Sequence, residues 1–173
     1  PWTEYSLKKS YYQAMTLKEG DEVINVETYD TDEFYTMFFV SRAGFALNAV
    51  QDNLPVQGRV AGGVRGIALK EGEECIFASQ ITAEGEIVVV TATNFFKRVI
   101  VSTITPIGRA CKGVTIADVK DCGRLLFADY VTIPYTLAVI NKDGSVAELN
   151  TEEINIENRV TKGKKLKRNP PLE

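Results

Sequence analysis

The chain has no histidine, one tryptophan, two methionines and three cysteines in 173 residues. Without an imidazole it lacks the commonest general base and the commonest metal ligand, and nothing stands ready to activate a thiol. Cys75, Cys111 and Cys122 are odd in number and form no C-x-x-C spacing, which argues against a disulfide framework and against a zinc site. They read as small buried hydrophobes in a reducing, cytoplasmic compartment. No run approaches the roughly 18 consecutive apolar residues of a membrane helix, and no basic-then-apolar leader opens the sequence, so a soluble chain is expected. Carboxylates such as Asp118 and Asp121 lie near one another, yet no base, metal cluster or phosphate-binding loop accompanies them. The composition therefore predicts a chain that is not an enzyme on its own and holds no cofactor.

What the chain does have is a threefold repeat of about 50 residues. Met37-Phe38-Phe39-Val40 returns as Ile87-Val88-Val89-Val90 and again as Leu137-Ala138-Val139-Ile140. A turn follows at Gly44, Asn94 and Gly144, an arginine closes each unit at Arg59, Arg109 and Arg159, and a glycine comes next at Gly63, Gly113 and Gly163. The units fall at about 12–62, 63–112 and 113–162, followed by a basic tail over 163–173. Residues 1–168 are expected to form one domain, and Leu172-Glu173 reads as a vector-derived end that carries no weight. With Pro1 in place of a methionine, the chain reads as a piece of a longer polypeptide.

Local signals within a unit are those of strands and tight turns. Glu86–Thr91 is a β-branched run too short for a helix, and its return strand is expected over Lys97–Val101. Asp143-Gly144, between Leu137–Ile140 and Val146–Leu149, predicts a two-residue hairpin connection; Ala43-Gly44 and Thr93-Asn94 take the same role. A further strand is expected ahead of each hairpin, over Val23–Glu27, Glu74–Ser79 and Arg124–Asp129, and another after each closing glycine. Helix is confined to short turns at Ala49–Leu54 and Thr151–Ile154. Four strands per repeat is one propeller-like blade, so the fold class is all-β, with about three four-stranded blades and room for a partial fourth.

Charge is unevenly distributed. Residues 1–156 hold 14 Lys and Arg against 21 Asp and Glu, a net of −7, whereas 157–173 holds 6 against 2, a net of +4. The basic end, Arg159, Lys162, Lys164, Lys165, Lys167 and Arg168, suits a phosphate backbone or an acidic partner; taken alone it reads rather as a solvated tail after the last strand.

The run Gly58–Glu73, the strand end Thr91-Ala92-Thr93-Asn94 leading to Lys97-Arg98, and Gly108–Ile116 together resemble the blade signature of the C-terminal domain of DNA gyrase and topoisomerase IV A subunits. The resemblance covers nearly the whole chain. It implies a β-pinwheel, in which propeller-like blades exchange a strand and basic residues wrap duplex DNA without reading its sequence. It further implies a parent ATP-dependent type IIA topoisomerase whose nucleophilic tyrosine, ATP and Mg sites lie on other A-subunit domains and on the ATPase subunit, at the nucleoid. None of Tyr5, Tyr11, Tyr12, Tyr29, Tyr35, Tyr130 or Tyr135 takes the nucleophile's role. On this resemblance Lys97 and Arg98 match the basic pair that follows the hairpin turn, while Arg59, Arg65, Arg109, Lys112, Arg159 and Lys162 match the turn between blades, with Lys164 and Lys165 beyond it. Lys97-Arg98 is read as a DNA contact, with one of the two side chains able to face the rim, and the three repeated arginines equally as DNA contacts or as structural groups, an ion pair or carbonyl cap between blades. The first repeat has Leu47-Asn48 and the third Ala147-Glu148 where the second has Lys97-Arg98. The Gln-Arg-Arg-Gly-Gly-Lys-Gly box associated with gyrases is absent from these residues, which favours a topoisomerase IV-like or divergent parent. The alternative function is a protein–protein interaction module that uses the acidic surface and has no DNA affinity.

Overall fold

The computed structural model describes residues 5, 6, 8, 10–28, 34–51 and 54–165. Among the described residues there are ten strands, most of them the β-branched and aromatic runs read from the sequence: β1 (Thr36–Ser41), β2 (Phe45–Val50), β3 (Cys75–Ile81), β4 (Glu86–Thr91), β5 (Phe95–Ile100), β6 (Val114–Thr115), β7 (Leu125–Val131), β8 (Thr136–Ile140), β9 (Val146–Asn150) and β10 (Lys164–Lys165). The order of strands is β3-β1-β2-β6 in the first sheet and β10-β5-β4-β7 in the second, and β8-β9 stands as a two-stranded sheet.

Each four-stranded sheet is assembled across repeats. The hairpin of one repeat receives on one edge a strand from the next repeat, antiparallel, with Phe38 opposite Ser79 in the first sheet and Val88 opposite Asp129 in the second. On its other edge it receives the short strand that follows a repeat-closing glycine, with Ala46 opposite Val114 and Phe96 opposite Lys164. Strand exchange of this kind leaves no blade as a continuous stretch of chain, so covalent continuity ties neighbouring sheets together.

Both faces of the completed sheets are buried, by period-2 alternation. In β4, Ile87 and Val89 pack with Phe38, Val40, Ile116 and Leu125 between the first and second sheets, whereas Val88 and Val90 pack with Phe96, Leu149 and Ile154 toward the β8–β9 hairpin. The outer face of the first sheet, with Leu47 and Ala49, is covered by Ile67 and by half-buried Cys111.

Several expectations are corrected. Val23–Glu27 joins no sheet, because no hairpin in the described chain stands where it would be received. Its Asn25 and Glu27 side chains instead meet the free edge of β3, where Asn25 donates to the Ala78 carbonyl (2.8 Å) and Glu27 accepts from the Gln80 N–H (2.8 Å). The residues after Gly63 likewise form no strand. The third repeat contributes two strands to its own sheet where four were expected.

The hairpin connections are longer than two residues. The N–H groups of Gly44, Asn94 and Gly144 bond the carbonyls of Ser41, Thr91 and Asn141, three residues back. Only the last residue of each turn has positive φ, at 82°, 70° and 81°. A two-residue type I′ turn needs positive φ at both central positions, which Ala43 and β-branched Thr93 disfavour. The predicted helical turn at Thr151–Ile154 is a 3-10 turn over Thr151–Glu153, and Val101–Thr103 forms another that was not anticipated. At Ala49–Leu54 the chain stays in β2 through Val50 and then turns, with the Leu54 N–H on the Gln51 carbonyl, while residues 52 and 53 lie outside the described set. Lys120-Asp121-Cys122-Gly123 is mostly a single helical turn, α1 (Val119–Cys122), capped by the Asp118 side chain on the Lys120 N–H.

Candidate nucleic-acid interface

The cations divide into those that build the fold and those that face solvent. Lys97, on β5, points into the space between sheets and is only 1% exposed. Its ammonium donates to the carbonyls of Asn158 (3.1 Å), Arg159 (2.9 Å) and Thr161 (2.6 Å). Burial pulls its pKa down to about 8, against the raising influence of Glu157 and Cys122. Arg98 points to the other face, donates to the carbonyls of Ile154 (2.8 Å) and Glu152 (3.1 Å), and pairs with Glu86 at 2.6 Å. The expectation that Lys97 meets a phosphate is corrected: its ammonium is enclosed, and the position is interior in the first sheet too, where Leu47 holds it, while Ala147 in the third repeat is half-buried. Arg98 keeps the job of Asn48, whose side chain donates to the Ile104 carbonyl (3.0 Å) one repeat earlier.

The three repeated arginines cap carbonyls of the preceding connector. Arg59 donates to Gln13 (3.0 Å), Arg109 to Arg65 (3.0 Å) and Arg159 to Thr115 (3.3 Å). All three are half-buried, and Arg59 also lies 5.3 Å from the centre of the Tyr12 ring. Of the two roles read from the sequence, this geometry supplies the carbonyl cap.

The solvent-facing candidates are Arg65, Lys112, Lys162, Lys164 and Lys165. Arg65 lies in the strandless stretch after Gly63, and the four lysines lie at the glycine-led edge strands β6 and β10. Lys112 and Lys162 immediately precede Gly113 and Gly163, and Lys164 and Lys165 make up β10. Gly113 has φ 78°, and a Cβ there would stand 2.1 Å from the Ala46 carbonyl oxygen; at Gly163 a Cβ would stand 2.7 Å from the Phe96 oxygen. Close backbone approach at these glycines is what seats the short strands, with their cations, on the sheet edge. Lys112 lies 3.7 Å from the centre of the Phe45 ring and Lys165 lies 5.9 Å from that of Phe95, two aromatic residues one repeat apart. Sequence reasoning passed over these rings, although their 50-residue spacing was visible. Lys162 pairs with Asp121 at 2.6 Å, which holds the aspartate below and the lysine above its ordinary pKa; an exposed pair of this kind is weak and opens readily. Lys120, not singled out from the sequence, is exposed beside Asp121. Lys167 and Arg168 lie outside the described residues.

Other reactive groups are occupied in the fold. The Tyr135 hydroxyl donates to Asp129, and burial with that carboxylate pushes its pKa up. Cys122 is buried and its thiol is also raised, chiefly by burial. Among the described residues no group of three or more His, Cys, Asp or Glu could hold a metal ion, and no helix is long and apolar enough to cross a membrane.

Strand-exchanged sheets at a 50-residue period define the propeller-like β-pinwheel class. The pattern of the family described as DNA gyrase C-terminal domain, beta-propeller, matches residues 12–30, 36–82 and 85–132, more than half of the chain, and the chain belongs to that family. The DNA gyrase A subunit of Chlamydia trachomatis is 29% identical over 163 residues, 93% of this chain and 19% of that protein. The DNA gyrase A subunit of Salmonella typhimurium is 31% identical over 164 residues, 93% of this chain and 18% of that protein. The chain thus spans about a fifth of the length of these relatives. Among solved structures, the C-terminal domain of DNA topoisomerase IV superposes with a TM-score of 0.83 at 23% identity, over 94% of this chain and 51% of that one. The E. coli ParC C-terminal domain gives 0.66 at 18% identity, over 89% and 64%. These two likenesses establish the fold.

Proposed function

We propose that this chain is the DNA-guiding part of a type IIA topoisomerase A subunit, holding and bending duplex DNA toward a cleavage core carried by other domains. Cleavage chemistry, ATP and Mg belong on this reading to the other A-subunit domains and to the ATPase subunit, and the chain itself is not catalytic. The observation that carries the proposal, beside family membership, is the clustering of exposed Lys112, Lys162, Lys164 and Lys165 at the edge strands of two consecutive sheets. A duplex presents phosphates at a regular pitch, and cations on rigid strands track it without contacting base edges. Bending a stretch of 20–30 base pairs costs about 1–6 kcal/mol, which the phosphate contacts must supply. The net charge of −7 over residues 1–156 keeps binding modest and strongly dependent on salt.

A test is titration of the chain against a duplex of about 40 base pairs, labelled at both ends, between roughly 50 and 200 mM salt. The expected result is binding that weakens steeply with salt and brings the labelled ends closer. Absence of binding at the lowest salt would replace this reading with the protein-interaction module.

A further inference from the structure

The least expected group in the interior is Lys97. An ammonium has three donors and no acceptor, and here all three are matched by carbonyls of one short turn, those of Asn158, Arg159 and Thr161. A buried cation without such partners would be strongly disfavoured, so the turn and the lysine require one another. The turn is tied down further by the Glu157 N–H on the Arg98 carbonyl (2.9 Å), the Thr161 N–H on the Asn158 carbonyl (3.1 Å) and the Thr161 hydroxyl on Glu157 (2.7 Å). Immediately after it come Lys162, the close-packed Gly163, and Lys164 and Lys165 paired to β5.

The other repeats do without this arrangement. Leu47 stands at the equivalent place in the first sheet and packs with Ala49 and Ile67; Ala147 stands there in the third repeat. The buried ammonium therefore coincides with the connector that leads into the lysine-rich edge strand, and is not a general demand of the blade.

We propose that Lys97 is a positioning residue for DNA: by gathering the carbonyls of Asn158, Arg159 and Thr161 it fixes the path of Lys162–Lys165 against the duplex and touches no phosphate itself. The assignment rests on the DNA-guiding reading above. Desolvation, which draws the lysine's pKa to about 8, fits an enclosed ammonium whose partners are carbonyls.

The experiment is a thermodynamic cycle on the whole chain. Lys97→Leu, which borrows the first repeat's residue, and Lys97→Met, which keeps a flexible stem, are each made in the wild-type background and in Lys162→Ala/Lys164→Ala/Lys165→Ala. Far-UV circular dichroism establishes folding, and duplex affinity is measured across a salt series, with amide exchange over residues 157–165. The assignment predicts faster exchange in that segment and about three- to tenfold weaker binding in the wild-type background, with the loss vanishing in the triple-alanine background. A loss that persists there, with the salt slope lower by about 0.9, would make Lys97 a direct phosphate contact and overturn the assignment. Faster exchange with unchanged affinity would overturn it in favour of a purely structural lysine. A wild-type chain that does not bind the duplex overturns the DNA-guiding reading and this assignment together, and so is distinguished from failure of the assignment alone.

Discussion

The second and third hairpins have closely similar patterns and different surroundings. In β4, Ile87 to Thr91 are all buried, whereas β8 alternates between exposed and half-buried residues along its length. The β4–β5 hairpin is flanked by β7 and β10 and covered on both faces; β8–β9 has no further strand on either edge among the described residues. Ile140 and Val146, at its turn end, remain about half exposed or more. The comparison teaches that the hairpin motif specifies a strand pair, while a finished blade is specified by strands that arrive from later repeats. Stability in such an array is approximately a sum of unit and neighbour terms.

Truncations on the two hairpins should separate those terms. Ile87→Ala in β4 is expected to cost about 2–5 kcal/mol, the range for emptying a packed site, and Leu137→Ala in β8 about 1 kcal/mol or less. Urea midpoints at constant slope check both; equal costs would mean that the third hairpin is as tightly packed as the second.

The edge glycines sharpen the same contrast on a smaller scale. Gly113 and Gly63 have nearly the same φ, 78° and 76°, but a Cβ at Gly113 meets the Ala46 oxygen whereas at Gly63 nothing lies within 4 Å. Gly63→Ala is expected to cost about 1–2 kcal/mol for the left-handed backbone alone. Gly113→Ala adds an overpacking cost of about 1–3 kcal/mol and loosens β6, visible as faster amide exchange at Val114 and Thr115.

Local sequence signals revealed the hairpins and the repeat; exchange of a strand between blades was expected from the family resemblance alone, and which strands pair, and in what register, followed from neither. Local alternation marks β1 and β3 as strands, yet nothing local says that Phe38 lies opposite Ser79, since that choice depends on which edges neighbouring repeats leave open. The same blindness misplaced Lys97. Alternation in β5 gives a lysine and an arginine opposite faces, and in a sheet with one wet face one of them would reach solvent. Because this sheet is covered on both faces, Lys97 and Arg98 both turn to carbonyls, and apolar Leu47 and Ala147 at the matching position were the available signal. The exposed lysines were legible as a basic run; that Gly163 seats two of them on a sheet edge was not.

The central claim is that edge cations hold DNA while inward cations build the fold. It is tested most directly by the salt dependence of duplex binding for Lys162→Ala/Lys164→Ala/Lys165→Ala beside Arg109→Met, with urea stability measured on both. The account predicts a slope shallower by about 2–3 for the triple variant at unchanged stability, since each phosphate ion pair removed takes away about 0.9, and an unchanged slope with lower stability for Arg109→Met. A triple variant that binds like the wild type, beside an Arg109→Met chain whose slope flattens, would contradict it.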